Sequence, residues 1–189
     1  MFERFSKDAR AVVEGAVLHA ERAGAGRVEE SHVLLALLDR EGSRGSFALA
    51  ALGLTPEGRR AVAREVAEAR RRGGLSRADA DALSGLGIDL SAVVSRIEET
   101  HGEGALAPGS KAGPGRGSGR RPFSRGAREL LSQSLRVALG HRDRYIGDEH
   151  LLIALTARPG VPSEVLADHG VTYGSLTRVL YAGGEAQAG

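Results

Sequence analysis

Apolar residues in this chain recur at the spacing of a helix face. Ala9, Val12, Val13, Ala16, Val17 and Ala20 follow the three-and-four rhythm behind Ser6, whose hydroxyl suits the N-cap of the helix they predict. Ala127, Leu130, Leu131 and Leu135 repeat that pattern behind Ser124. Two further stretches, starting near Glu30 and near Asp148, carry almost continuous Leu, Val, Ile and Ala, as a helix buried on most sides would. The passages ALAALGL (48–54) and VLADHGV (165–171) each predict a shorter helix closed by glycine. No stretch sustains the apolar–polar alternation of a half-buried strand, so the expected fold class is all-α.

These elements come in two sets. The offset that carries Phe5 onto Phe123 lays FSKDAR over FSRGAR, and with no gap it lays SHVLLAL (31–37) over EHLLIAL (149–155). One residue of slippage then aligns 48–54 with 165–171. A fixed offset held over this distance is the mark of an internal duplication. The predicted architecture is therefore two pseudo-twofold helical repeats, over 1–55 and 122–182. Residues 56–101 form a helical extension: one helix runs from Pro56 to about Arg72 before Gly73 and Gly74, and Ser76 with Asp79 opens another through a capping box. Residues 85–99 look like a second version of the passage that begins at Leu52. The Gly, Pro, Ser and Arg of 102–121 predict a flexible linker, and 183–189 a disordered tail.

Composition narrows the chemistry. The chain has 189 residues, 41% of them hydrophobic, which is enough for a packed core, and no cysteine for a disulfide or thiolate metal site. The opening MFERFSKDAR has no apolar h-region and no run nears the roughly 20 apolar residues of a membrane span, so a cytoplasmic protein that meets no membrane is expected. The net charge of +2 hides a local feature, because Lys111, Arg116, Arg120, Arg121, Arg125 and Arg128 lie in a stretch without a single acid. That basic linker supports an alternative reading as a nucleic-acid-associated regulator, although solubility and spacing explain it as well.

A phosphate-cradling GxxxxGK[ST] loop, a GxSxG elbow, a HExxH pair and cysteine nucleophiles are all missing, and the histidines do not cluster at ligand spacing. The chain is expected not to be an enzyme and to need no cofactor or metal. His32 and His150 hold matching places at the start of the buried helices, where a structural role is expected. A helix N-terminus offers free backbone N–H groups to an anion, and Ser6 or Ser124 could add a donor. Glu29, Glu30, Asp148 and Glu149 could hold a guanidinium or amine nearby, while acids in a first turn also simply complement the helix dipole.

MFERFSKDARAVV, SHVLLALLDREG and GDEHLLIAL, set in this duplicated layout, resemble the N-terminal domain of the ClpC and ClpA class of protease-associated unfoldases. The resemblance covers about 1–55 and 121–181, without the ATPase modules that follow this domain in full-length relatives. It implies two four-helix repeats in a stand-alone binding protein, an adaptor or decoy for a Clp system. It also implies protein substrates or adaptors as partners, among them proteins phosphorylated on arginine, and contact with a Clp ATPase. The family's phosphoarginine pockets use a hydroxyl near the start of the first helix and a glutamate before the histidine of the second. The second repeat matches these with Ser124 and Glu149, whereas the first has Ser6 and Ser31, with Glu30 adjacent. Phosphate is thus expected beside Ser124 and guanidinium on Glu149. The family's groove between repeats accepts cyclic peptides, and Phe2 and Phe123 match aromatic positions that line it.

Overall fold

The computed structural model describes residues 2–108 and 121–182. Most of the expected linker (109–120), the expected tail (183–189) and the side chain of Phe2 lie outside the described residues. Those residues form ten α-helices after a 3-10 turn at Phe2–Arg4 and contain no regular strand. Helices α1 (Lys7–Arg22), α2 (Glu30–Leu38), α3 (Arg44–Ala51) and α4 (Pro56–Arg71) make one unit. Helices α7 (Arg125–Gly140), α8 (Asp148–Thr156), α9 (Val161–Asp168) and α10 (Tyr173–Tyr181) make its counterpart, and α5 (Arg77–Gly85) with α6 (Leu90–His101) form an added pair between them. The expected extension from residue 56 thus divides in two, because α4 stands in the first unit where α10 stands in the second.

The repetition extends to single hydrogen bonds. Ser6 Oγ accepts from Ala9 N–H at 3.1 Å, and Ser124 Oγ from Ala127 N–H at 3.0 Å, so each opens its helix as the N-cap. Both α3 and α9 end at a left-handed glycine, Gly53 (φ 84°) and Gly170 (φ 78°). At each stop the next residue's N–H reaches back to a carbonyl of the last turn, Leu54 to Leu49 and Val171 to Leu166, both at 2.9 Å. Leu54 and Val171 are thereby turned into the core. Thr55 and Thr172 then cap α4 and α10.

α2 and α8 lie at the centre, with Val33, Leu34, Leu151, Leu152 and Ile153 wholly shielded from solvent. Gly15 lets α1 press close on α2: a methyl there would stand 3.1 Å from Ala36 Cβ. The two units are stitched by main chain. Phe5 pairs in parallel with Ile146, and Val28 with Phe123, so the lead-in of each unit bonds to the loop before the buried helix of the other. α5 and α6 differ in kind. α5 buries no side chain and α6 only Val94, while Leu86 and Ile88 at their junction are exposed. An ion pair between Arg71 and Glu98 (2.7 Å) ties α6 to the end of α4.

Burial predicts the energetic contrast. Leu152→Ala, at the centre of α8, should cost about 2–5 kcal/mol through lost apolar contact and the cavity left behind. Leu86→Ala should stay within about 0.5 kcal/mol of the parent, being a solvated surface position. Urea unfolding of both variants, compared at constant m-value, measures the difference.

Candidate functional site

The crossed stitching decides which candidate residues meet. Ser6 donates its N–H to Ile146 O (2.9 Å), immediately ahead of the α8 start, whereas Ser124 donates to Val28 O (2.8 Å), ahead of the α2 start. Ser124 therefore shares its surroundings with Glu29, Glu30 and Ser31, and Ser6 stands beside the segment that leads to Glu149. The stitching thus gives two combinations, each setting the lead-in of one unit's first helix beside the start of the other unit's buried helix, while α1 stays packed on α2 and α7 on α8. Phe123 is half-buried against the core next to Val28. It is not among the cavity-lining residues described below.

At the start of α8, Asp148, Glu149 and His150 are all buried. Gly147 N–H donates to His150 Nδ1 (2.9 Å), which leaves the ring proton on Nε2. Nε2 lies 2.9 Å from both Asp143 Oδ2 and Tyr181 Oη, and the tyrosine hydroxyl donates to the same carboxylate at 3.2 Å. Asp143, Glu149 and His150 bring ligand atoms close enough for a cation, but both imidazole nitrogens are spent on these hydrogen bonds. His32 repeats the arrangement with Glu29 N–H on its Nδ1 (2.9 Å), while its Nε2 has no partner among the described residues. The offset that pairs His150 with His32 puts Ala25 in the place of Asp143. Burial, with Arg70 and His19 nearby, lowers the His32 pKa to about 3. Both histidines are built into helix starts.

Asp148 and Glu149 face the start of α3. Ser43 Oγ, the α3 N-cap, donates to Asp148 Oδ2 at 2.5 Å, and a methyl on Gly45 would fall 2.6 Å from that oxygen. Glu149 folds back over Gly147, where a methyl would lie 2.0 Å from its Oε2. Arg44 Nη1 donates to Glu149 Oε1 at 3.0 Å from a half-exposed position above the Tyr181 ring. Burial raises the Glu149 pKa to about 7, against its own backbone N–H and Arg44, which pull it down. A guanidinium of the chain itself thus already holds this carboxylate.

The other combination, around Ser124, is open. A cavity of about 340 Å³ lies between the units. Leu130, Leu155, Pro159, Val161 and Pro162 supply its apolar wall, and its polar rim comes from α2, α4 and the first turn of α7. Arg70, delivered by α4, donates to Glu29 Oε2 (2.5 Å) and Ser31 Oγ (2.8 Å). Burial raises the Glu29 pKa even with Arg70 alongside. Arg158 is held by Glu129 at 2.9 Å. The Glu30 carboxylate sits on the first turn of α7, so close to Gly126 that a methyl there would meet Oε1 at 1.9 Å. Arg70 and Arg44 escaped sequence reading, since their partners lie 41 and 105 positions away in the chain. The basic stretch is partly committed as well: Arg121 bonds the Ala25 carbonyl and Arg125 pairs with Glu129.

The raised Glu149 pKa has a thermodynamic consequence. Folded protein holds this proton up to about pH 7, whereas the unfolded chain releases it near 4.5. The stabilising contribution is therefore complete below pH 4.5 and lost as pH rises through 7. His32 acts oppositely, adding stability as pH rises from 3 towards 6.5. Stability of Glu149→Gln minus that of the parent isolates the first effect: the difference should shift in favour of the variant between pH 4.5 and 7. A difference that stays constant over that window in denaturation curves would contradict the assignment.

Comparison with known proteins bears on the fold that carries this geometry. Residues 122–187 match the Clp repeat (R) N-terminal domain profile. A structure from a malarial protein secretion system superposes with a TM-score of 0.62 at 13% identity, covering 95% of this chain and 94% of that one. The N-terminal domain of the caseinolytic protease associated chaperone ClpD from Arabidopsis thaliana gives a TM-score of 0.54 at 17% identity, over 96% of this chain and 95% of that one. The Hsp104 N-terminal domain from Candida albicans gives 0.51 at 15%, over 96% and 93%. The second half of this chain thus carries the Clp repeat N-terminal domain signature, and the chain as a whole has the fold of Clp-type N-terminal domains.

Proposed function

We propose that this chain is a non-catalytic binding module of a Clp protease system that takes protein substrates, adaptors or peptide-like ligands and acts as adaptor or decoy. The observation that carries this reading is the cavity between the two units, an apolar pocket with a polar rim at the lower end of the roughly 300–1,000 Å³ range of ligand sites. Its size suits one or two side chains of a docked segment. The fold and the matched profile support the same class of role. The buried histidines at the α2 and α8 starts are each committed to main chain through Nδ1, which favours a structural use of both.

Between the finer partner classes, the geometry favours a peptide-like ligand in the cavity over a phosphoarginine shared by Ser124 and Glu149. Those two residues belong to different combinations, and Glu149 is occupied by Arg44. Contact with a Clp ATPase is part of the proposal, since a module of this kind acts by presenting or withholding substrate.

Adding the purified chain to a Clp unfoldase–protease that degrades fluorescein-labelled casein tests the reading. An adaptor raises the rate and a decoy lowers it, in either case saturably. Val161→Trp, which places an indole against the cavity wall, should abolish the effect without unfolding the protein. An unchanged rate at every concentration of the parent chain would refute the proposal.

A further inference from the structure

Part of the cavity rim comes from neither repeated unit. Residues 102–108, which follow α6, pass over the end of α4 and bring Pro108 to the rim beside Gly74 and Arg70. Two turn bonds give this segment a shape of its own, Ala105 N–H to Gly102 O at 3.2 Å and Ala107 N–H to Gly104 O at 2.9 Å. Two consecutive arginines in the last turn of α4 fasten it. Arg71 holds Glu98 at 2.7 Å, and Glu98 Oε1 in turn accepts from Gly104 N–H at 2.8 Å. Arg70 Nη2 donates to the Pro108 carbonyl at 3.5 Å. Between these ties the segment lies on the glycine pair that ends α4: a methyl on Gly73 would stand 3.6 Å from Leu106 O, and one on Gly74 would stand 3.5 Å from Pro108 Cγ.

We propose that residues 104–108 are an intramolecular strap, which docks at the cavity rim and competes there with an external peptide. This rests on the peptide-binding reading above and adds its regulation. The strap reads Gly-Ala-Leu-Ala-Pro, an uncharged run between Glu103 and Lys111, and each of its residues is partly buried, as a docked segment would be. Its tether presents it to the rim at an effective concentration on the order of millimolar, so it competes without strong contacts. The ties are individually weak, since the Arg71 side chain is 45% exposed and a 3.5 Å hydrogen bond is a long one. Such a strap is releasable: docked about four-fifths of the time, it lowers the apparent affinity of an external ligand about fivefold. Arg70 links release to the site itself. It donates to Glu29 Oε2 and Ser31 Oγ as well as to Pro108, so a ligand that rearranges this polar rim also loosens the strap.

The strap's own sequence is the probe: acetyl-Gly-Ala-Leu-Ala-Pro-amide, titrated into the full chain and followed by NMR shifts of the cavity residues Leu155 and Val161. Glu98→Ala cuts the tie to Gly104, and Leu106→Asp removes the large apolar side chain of the strap. Each should raise the affinity for the peptide about fivefold. Neither residue lines the cavity, so the gain does not come from a changed contact with the peptide. The double variant should gain no more than the better single one, because a strap is released only once, whereas two independent effects would multiply to about twenty-five-fold. Circular dichroism checks folding, and if one single variant is not folded, the other still decides between gain and no gain. Equal affinity in parent and variants, or weaker binding by the variants, overturns the strap while peptide binding stands. Multiplying gains overturn it as their common cause. If no protein responds to millimolar peptide, the strap falls as a competitor, and the casein assay above decides the binding reading by itself.

Discussion

Everything at the centre of this molecule depends on one reciprocal main-chain exchange. The segment ahead of α1 bonds to the loop ahead of α8, and the segment ahead of α7 to the loop ahead of α2, each through hydrogen bonds of 2.7 to 2.9 Å. Each bond satisfies backbone groups that would otherwise be orphaned at a buried helix start. The exchange also fixes the angle at which the two units meet, since the lead-in and loop of both are used at once. Four helix N-termini are thereby gathered at the seam, those of α1, α2, α7 and α8. A seam of that kind needs negative charge, and the sequence provides Glu29, Glu30, Asp148 and Glu149.

The same exchange explains what could be read from the sequence and what could not. Helix positions were legible because α1 and α7 are amphipathic behind a serine cap, and α2 and α8 are apolar almost throughout. The duplication was legible because the offset is gapless through the two helices that build the core. The crossing was not. An offset between repeats says which residues correspond, but two units that exchange neighbours have the same offset as two that do not. The crossing of the lead-ins sets Ser124 beside Glu29 and Glu30 at the open cavity.

Arg44 and Arg70 were hidden for a different reason. Each sits where a charge reads as a surface one, Arg44 at the exposed first position of α3 and Arg70 in the basic last turn of α4. Local spacing assigns such residues to solvent or to the carboxyl end of the helix dipole. Their partners come from elements packed against them in space, and only the assembled fold shows that a guanidinium has been directed inwards. α4 also shows why the extension was hard to divide. The cap at Thr55 and the glycine stop before it match those of α10, yet its sequence is far more polar, so the repeat is kept in the backbone signals while the surface has diverged.

That divergence has made the two combinations at the seam unequal, and the inequality follows from one-residue differences. In the second unit the position before the buried helix is Gly147, which leaves room for Glu149 to fold back, and Asp148 is short enough to bond Ser43 and press on Gly45. The α8 and α3 starts therefore close on each other. In the first unit the matching positions hold Glu29, Glu30 and Ser31, and the longer Glu30 side chain reaches the α7 start instead of the α9 start. The α9 start is left with Gly160, Val161 and Pro162, residues that bring no side-chain cap and cannot draw an acid of their own. An unfilled volume walled by apolar and prolyl groups is the result. Two copies of one repeat have in this way produced one sealed polar cluster and one open cavity, and the longer acid at position 30 is the difference on which the opening turns.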